Sequence, residues 1–306
     1  MFGWLSKNRQ RLLQWAGTIL AFGLLVILVE NEGWQEVLAA FGKIKSADLL
    51  WVALLFLIAR LATVGRWYVL LRSGGIEMSI KDATALTFTG LFASNFLPTT
   101  VGGDVVRLAG AMQMGFDRAV CLASIAADRL IGMLGMTMMA PVGLAYSWNI
   151  LQTPTLSLSL AFFKKPIEFL KRTLNVFGIW LKKPTSLLES LFFAWVNMLC
   201  LFAAIDILAT DLGSHVSFWM IGGIWSLTYF VSLIPISING YGVQELSFTF
   251  LMSNVAGLAP AVSLSVAVLM RAYFILSSLP GAFFLPNILS VMAEQKKGTS
   301  LTDAFR

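Results

Sequence analysis

Charged residues are scarce in this sequence of 306 residues. They make up 12% of the chain, whereas a soluble domain carries about 25%. Hydrophobic residues make up 58%, and no hydrophilic run is long enough to form a separate soluble domain. This balance excludes an ordinary soluble protein and predicts an all-α polytopic membrane protein.

Cysteine and histidine are nearly absent as well. The two cysteines, Cys121 and Cys200, lie in apolar segments and form neither a disulfide framework nor a CxxC metal pattern. The single histidine, His215, cannot supply the ligands of a usual zinc site. The sequence also lacks a GxxxxGK[ST] phosphate-binding loop and a Ser/His/Asp arrangement. We therefore expect no metal, no other cofactor and no nucleotide-driven step.

Apolar segments of helical length recur along the chain. The predicted apolar segments are 12–29, 49–71, 82–97, 119–147, 187–210, 217–237, 246–258 and 261–285. The segments 82–97 and 246–258 are short, so hydropathy predicts six to eight membrane segments that include two broken or re-entrant helices. We interpret residues 1–292 as one membrane domain. Its parts are a first half (1–147), a basic loop (148–186) and a second half (187–292), and a polar tail (293–306) follows.

Basic residues set the predicted topology. Lys7, Arg9 and Arg11 precede the first apolar run, which predicts a cytoplasmic N-terminus in the plasma membrane. Lysines and arginines between 164 and 183 alternate with apolar side chains, which predicts either a basic interfacial helix on anionic lipid headgroups or an ordinary topology-setting loop. We read the net charge of +6 as contact with lipid headgroups, with no nucleic-acid partner.

Two polar breaks interrupt the apolar pattern. The first, NFLPTTVGGDVVR, runs from Asn95 to Arg107, and the second, LIPISINGYGVQE, runs from Leu233 to Glu245. In each, a proline and two glycines would break a helix, and an acidic residue follows. Such a break persists in lipid only where protein or water surrounds it. We therefore predict that the two breaks meet and form the working site.

An arginine follows each break at nearly the same distance. Arg129 lies 25 residues after Asp104, and Arg271 lies 26 residues after Glu245. Paired Gly/Pro-interrupted segments in corresponding positions point to a transporter site and to a candidate inverted repeat. A broken helix also exposes N–H groups that carry partial positive charge and suit a phosphate or carboxylate.

Two interpretations of the membrane charges stay open. The acids Asp104, Asp128 and Glu245 could only neutralise arginines as structural pairs. Alternatively, the arginines hold an anionic headgroup while the acids balance charge or relay protons. Asp128 and Arg129 are adjacent and do not share a helix face, so we expect them to reach different partners.

Segment 49–71 adds two more arginines. Arg66 is near the inner end of the predicted helix and is expected to snorkel towards the interface. Arg60 is nearer the middle of the helix and needs a hydrogen-bonding partner or a water-filled cavity.

Three motifs carry a resemblance to a known family. FLPTTVGGDVVR, ASIAADRLIGMLGM and SLIPISINGYGVQELSF resemble, in this order, the marks of the lysylphosphatidylglycerol synthase transmembrane family, also called flippase-like domain proteins. The resemblance implies a plasma-membrane protein with re-entrant helices that translocates lipid. The motif match implies substrate-binding roles for Pro98, Gly102, Gly103, Asp104, Arg107, Asp128, Arg129, Pro235, Gly240, Gly242 and Glu245. Our candidate site also includes Asn95, Asn239 and Arg271.

The leading hypothesis is a flippase-like transporter, not an enzyme. It would move an anionic phospholipid or a polyprenyl-phosphate-linked glycolipid across a bacterial membrane. One alternative is an enzyme that acts on lipid headgroups with carboxylates as general acid or base. Another is a partner that presents lipid to a separate glycosyltransferase or synthase. In the family's resistance factor a cytoplasmic aminoacyl-transferase domain makes the lipid. The sequence to Arg306 has no room for one, so we expect no lysyl-lipid synthesis.

Overall fold

The computed structural model describes residues 42–97, 102–148, 183–234 and 237–284, together with residues 19, 20, 23, 26, 27 and 30. All regular structure in this part of the chain is helical, and four helices are long and apolar enough to cross a membrane. The prediction of an all-α polytopic membrane fold is therefore confirmed. Three predicted parts lie outside the described residues: segment 12–29 apart from residues 19, 20, 23, 26 and 27, the basic stretch from 149 to 182, and the tail 293–306.

The described chain forms eight α-helices and two 3₁₀ segments. The α-helices are α1 (Ser46–Ser73), α2 (Ile80–Ser94), α3 (Gly102–Gln113), α4 (Arg118–Tyr146), α5 (Pro184–Asp211), α6 (Phe218–Ser232), α7 (Val243–Asn254) and α8 (Pro260–Ser278). The 3₁₀ segments are Ile238–Gly240 and Leu279–Phe283. Two boundaries differ clearly from their predictions. α6 ends at Ser232, so it spans 15 residues, or about 22 Å. α8 ends at Ser278, where the 3₁₀ segment takes over.

Local sequence signals account for several helix starts. The Ser79 hydroxyl accepts a hydrogen bond from the Asp82 backbone N–H at 3.1 Å, and the Asp117 carboxylate accepts one from Val120 N–H at 2.9 Å. Both are N-cap bonds that satisfy exposed donors of the first turn. Pro184 opens α5 and Pro260 opens α8, at the position where proline needs no N–H partner.

The helices repeat in order and length. α1, α2 and α3 contain 28, 15 and 12 residues, and α5, α6 and α7 contain 28, 15 and 12 residues in the same order. The fourth helix of each set is α4, with 29 residues, and α8, with 19 residues followed by a 3₁₀ segment. The described part of the chain therefore forms two four-helix halves around the two breaks.

The two halves pack on each other reciprocally. α1 packs against α5, α4 packs against α6, and α8 with its 3₁₀ extension packs against α2. Arg60, the fifteenth residue of α1, binds Ser277, the eighteenth of α8. Met198, the fifteenth residue of α5, lies against Gly135, the eighteenth of α4. Reciprocal contacts between corresponding positions indicate an approximate two-fold relation and fix which residues correspond.

Lys45 joins the two central helices at one end. Its backbone N–H and its Nζ donate to the Asp211 carboxylate at 3.2 and 3.1 Å. These bonds tie the start of α1 to the end of α5, and the hydrogen bond with Asp211 raises the pKa of Lys45.

Gly143 and Gly223 allow α4 and α6 to touch through their backbones. A Cβ at either glycine would overlap backbone atoms of the other helix. We expect Gly143→Ala to lower the free energy of unfolding by about 1–3 kcal/mol, because overpacking forces the helices apart. Thermal unfolding in neutral detergent measures this. Gly42→Ala is the matched control, since a Cβ there meets nothing within 4 Å. Equal melting temperatures for the two variants would contradict the prediction.

Candidate functional site

The first break joins α2 to α3, and glycines set how closely the two helices approach. A Cβ at Gly103 would overlap the Gly90 carbonyl and the Ser94 hydroxyl. Gly102 and Gly103 open α3, and Asp104 is its third residue. Pro98 lies outside the described residues. The close packing places the first turn of α3, with its carboxylate, inside the helix bundle.

Asp128 is the centre of a buried charge network. It is 2% exposed. Its carboxylate accepts hydrogen bonds from Arg66 Nε at 2.6 Å and from Arg107 Nη1 at 3.1 Å. The Arg107 guanidinium lies over the Trp67 ring, 4.0 Å from its centroid. This is a cation–π contact away from water. Together with the two hydrogen bonds to Asp128, it links helices α1, α3 and α4.

Asp104 extends the network to a third arginine. It accepts a hydrogen bond from Arg107 Nη1 at 3.3 Å and another from Arg129 Nε. The expectation that the neighbours Asp128 and Arg129 reach different partners is therefore confirmed. Arg66 differs from its prediction: its side chain does not snorkel but turns inward to Asp128.

The second break has a tightly turned backbone. Asn239, Gly240 and Gly242 have positive φ angles of 49°, 73° and 77°, a region that suits glycine and tolerates asparagine. Pro235 lies outside the part of the chain that is described. The turn aims the Gly242 N–H at the Glu245 carboxylate, which accepts it at 2.8 Å and caps α7.

Glu245 also binds an arginine. Its second oxygen accepts a hydrogen bond from Arg271 Nε, and Arg271 Nη2 donates to Gln244 Oε1 at 2.8 Å. The Arg271 guanidinium lies over the Tyr241 ring at 4.7 Å from its centroid. Arg271 is therefore held by residues on both sides of the start of α7.

The two breaks lie next to each other. The Tyr241 hydroxyl donates to Asn95 Oδ1 at 3.4 Å, and Asn95 Nδ2 donates to Ser278 Oγ at 2.8 Å. Asn95 follows α2 directly, so it bridges the first break to the second break and to the end of α8. The predicted meeting of the breaks is present in the fold.

The acid–arginine pairs follow the repeat. Asp104 and Glu245 are each the third residue of the helix after a break. Arg129 and Arg271 are each the twelfth residue of the next helix, counted from Arg118 and Pro260. This regularity is the structural origin of the nearly equal spacing in the sequence.

The network around Asp128 is not repeated. By position within the helices, Arg66 corresponds to Ala204, Arg107 to Phe248 and Asp128 to Met270. These three counterparts are all buried, at 0%, 1% and 1% exposure. The same helix positions are therefore charged in the first half and apolar in the second.

The arginines of the described charge contacts outnumber the carboxylates that they meet. Arg60 donates to the Ser277 hydroxyl at 2.8 Å and to the Phe274 carbonyl at 3.0 Å. None of its contacts among the described residues is with a carboxylate. Counted over these contacts of the described residues, five arginines are matched by three carboxylates, an excess of two positive charges. The arginines are Arg60, Arg66, Arg107, Arg129 and Arg271, and the acids are Asp104, Asp128 and Glu245.

A cavity of about 160 Å³ opens beside the first-half network, between α1, α4, α5 and α6. Its polar lining residues are Arg66, Arg129, Asn197 and Tyr229, and its other lining residues are Gly132, Met136, Ala194 and Met198. Asn197 and Tyr229 were not among the sequence candidates. Asn197 is a single polar residue in an apolar run and Tyr229 follows Thr228 in an apolar helix, so no motif marks either of them.

The described residues contain no group of three His, Cys, Asp or Glu side chains placed to hold a metal ion.

The chain matches the family model for the lysylphosphatidylglycerol synthase TM region over residues 14–281. It belongs to this family. No curated protein matches the chain. Membership in the lysylphosphatidylglycerol synthase TM family, together with the four apolar helices, makes this a multi-pass membrane protein related to lipid handling.

Proposed function

We propose that the protein is a flippase-like transporter that moves a lipid with an anionic headgroup across the membrane. The observation that carries this proposal is that the five arginines Arg60, Arg66, Arg107, Arg129 and Arg271 are matched by three carboxylates in the contacts of the described residues. A charge far from water is costly unless it is paired. A phosphate-bearing headgroup would complete the pairing of the arginines for as long as it occupies the site.

The second half of the protein argues against a purely structural role for the first-half charges. Ala204, Phe248 and Met270 occupy the positions that correspond to Arg66, Arg107 and Asp128, and they pack there without any charge. A buried ion network is often no more stabilising than apolar residues of similar volume. The fold therefore does not require these charges, which supports a role in binding.

In this proposal the acids allow the headgroup to leave. Asp104 and Glu245 each bind an arginine at a break, so each carboxylate competes with a lipid phosphate for the same guanidinium. A site without such competition would hold the lipid, whereas transport requires binding that is reversible. The substrate would be an anionic phospholipid or a polyprenyl-phosphate-linked glycolipid.

The proposed orientation is a plasma-membrane protein with its N-terminus in the cytoplasm. Lys183, at the end of the basic stretch, donates from Nζ to the Ser73 carbonyl at 2.6 Å. This contact supports placing the basic stretch at the same membrane face as the end of α1, where Arg72 lies. Residues 164–183 would then contact anionic headgroups of the cytoplasmic leaflet, and they could also dock a lipid-modifying enzyme.

Reconstitution into vesicles tests the function directly. Fluorescent phosphatidylglycerol is placed in both leaflets, and a membrane-impermeant reductant bleaches the outer leaflet. We expect the protein to expose the inner-leaflet probe at least about tenfold faster than protein-free vesicles do. Fluorescent phosphatidylcholine, whose headgroup has no net charge, reports on headgroup selectivity. A phosphatidylglycerol rate equal to that of protein-free vesicles would overturn the proposal for this lipid, and a polyprenyl-phosphate probe then tests the second substrate class.

A further inference from the structure

Three side chains around the 160 Å³ cavity keep hydrogen-bond donors that bind no residue in the described part of the chain. The Tyr229 hydroxyl and the Asn197 amide make no hydrogen bond to any residue that the structure describes. Arg66 binds Asp128 through Nε alone, so its two terminal amino groups have no acceptor in the described chain. All three side chains line the same cavity. Polar groups within a membrane protein rarely remain unsatisfied, so the cavity is built for an occupant.

The chemistry of these groups selects an oxyanion. The Arg66 amino groups, the Tyr229 O–H and the Asn197 NH₂ are all donors, and arginine recognises phosphate through paired N–H groups. Arg129 adds a second positive charge to the wall. The start of α7 is a poorer anion site, because the Glu245 carboxylate already accepts the Gly242 N–H.

We propose that this cavity binds the phosphate of a lipid headgroup, held by Arg66 and Arg129 and oriented by Tyr229 and Asn197. The inference rests on the proposed function and locates its substrate site beside the first half's charge network. The volume of about 160 Å³ accommodates a phosphate group but not the rest of a large headgroup. The remaining wall is formed by Gly132, Met136, Ala194 and Met198. This apolar surface suits the carbon atoms next to a lipid phosphate and offers little to free phosphate.

Binding to the purified full chain tests the site. Native mass spectrometry in a neutral detergent gives Kd values for phosphatidylglycerol, for diacylglycerol, which lacks the phosphate, and for inorganic phosphate. The variants are Tyr229→Phe and Asn197→Leu, which remove single donors from a membrane-buried cavity and leave the salt bridges in place. Tyr273→Phe is the matched control, because the Tyr273 hydroxyl binds the Leu49 carbonyl at 2.8 Å instead of lining the cavity.

We expect each cavity variant to weaken phosphatidylglycerol binding about tenfold, the effect of losing one hydrogen bond to a charged group. Tyr273→Phe should leave the Kd unchanged, and diacylglycerol should not bind. Unchanged phosphatidylglycerol binding in both variants would show that the cavity holds only water and would overturn the inference. Inorganic phosphate binding as tightly as the lipid would overturn the lipid assignment.

The vesicle assay separates this inference from the proposed function. Lipid movement in the wild type with normal movement in both cavity variants would reject the cavity and keep the transporter. Tight, donor-dependent phosphatidylglycerol binding with no movement of any lipid probe would reject the transporter and keep the binding site.

Discussion

Replacing Glu245 with glutamine is expected to abolish lipid movement while leaving the protein folded. The amide oxygen of glutamine can still accept the Gly242 N–H that Glu245 now accepts at 2.8 Å, so the start of α7 keeps its cap. Arg271 loses its charge partner and would hold an anionic headgroup without competition. We expect the vesicle transport rate to fall to the protein-free background.

Glu189→Gln is the matched control, because Glu189 lies on an exposed part of α5. It should transport at the wild-type rate. Circular dichroism and size-exclusion elution verify that both variants keep the fold. Wild-type transport by Glu245→Gln would remove Glu245 from the mechanism.

Removing the Asp128 carboxylate is expected to cause a large loss of stability. Asp128→Ala leaves Arg66 without its salt bridge and leaves Arg107 with Asp104 alone. Breaking a buried ion pair by deleting one partner costs about 3–5 kcal/mol, because the remaining charge is uncompensated. A thermal melt in detergent measures the loss. Asp206→Ala is the matched control, because Asp206 is half-buried on α5 and makes no ion pair with another described residue. A similar melting temperature in both variants would contradict the buried network.

The combined variant Arg66→Ala, Arg107→Phe and Asp128→Met is expected to recover that stability and to lack transport. It copies the side chains that the second half carries at corresponding positions, namely Ala204, Phe248 and Met270. Apolar replacement of a buried ion network is often neutral or stabilising. A stable protein that no longer moves lipid would assign the charges to function. A stable protein with full transport would assign them to neither role.

The sequence predicted the breaks well, because they depend on local chemistry. Proline and paired glycines mark where α2 and α6 end, and periodic apolar residues mark the long helices. The separate partners of Asp128 and Arg129 followed from helix geometry alone. The apolar pattern predicts a segment that continues to residue 237, whereas residues 233 and 234 are already outside the helix.

The pairing of the charges could not be predicted from the sequence. Arg66 and Asp128 lie 62 residues apart, and their contact depends on how α1 packs against α4. Because Arg66 lies near the end of an apolar run, its sequence position fits a side chain that snorkels to the interface as well as one that binds Asp128. The sequence around Tyr229 and Asn197 does not predict a binding role. Only the packing of the helices shows that both side chains line one cavity.

The unequal halves bear on the origin of the protein. Two four-helix units that contact each other reciprocally are arranged as a symmetric dimer of a half-length ancestor would be. In such a dimer every residue occurs twice, so a charge cluster on one side imposes the same cluster on the other. Gene duplication and fusion remove this constraint, and one copy can then lose its charges while the other keeps them. The apolar trio Ala204, Phe248 and Met270 is what such divergence would leave, while the pair of Glu245 with Arg271 still repeats that of Asp104 with Arg129.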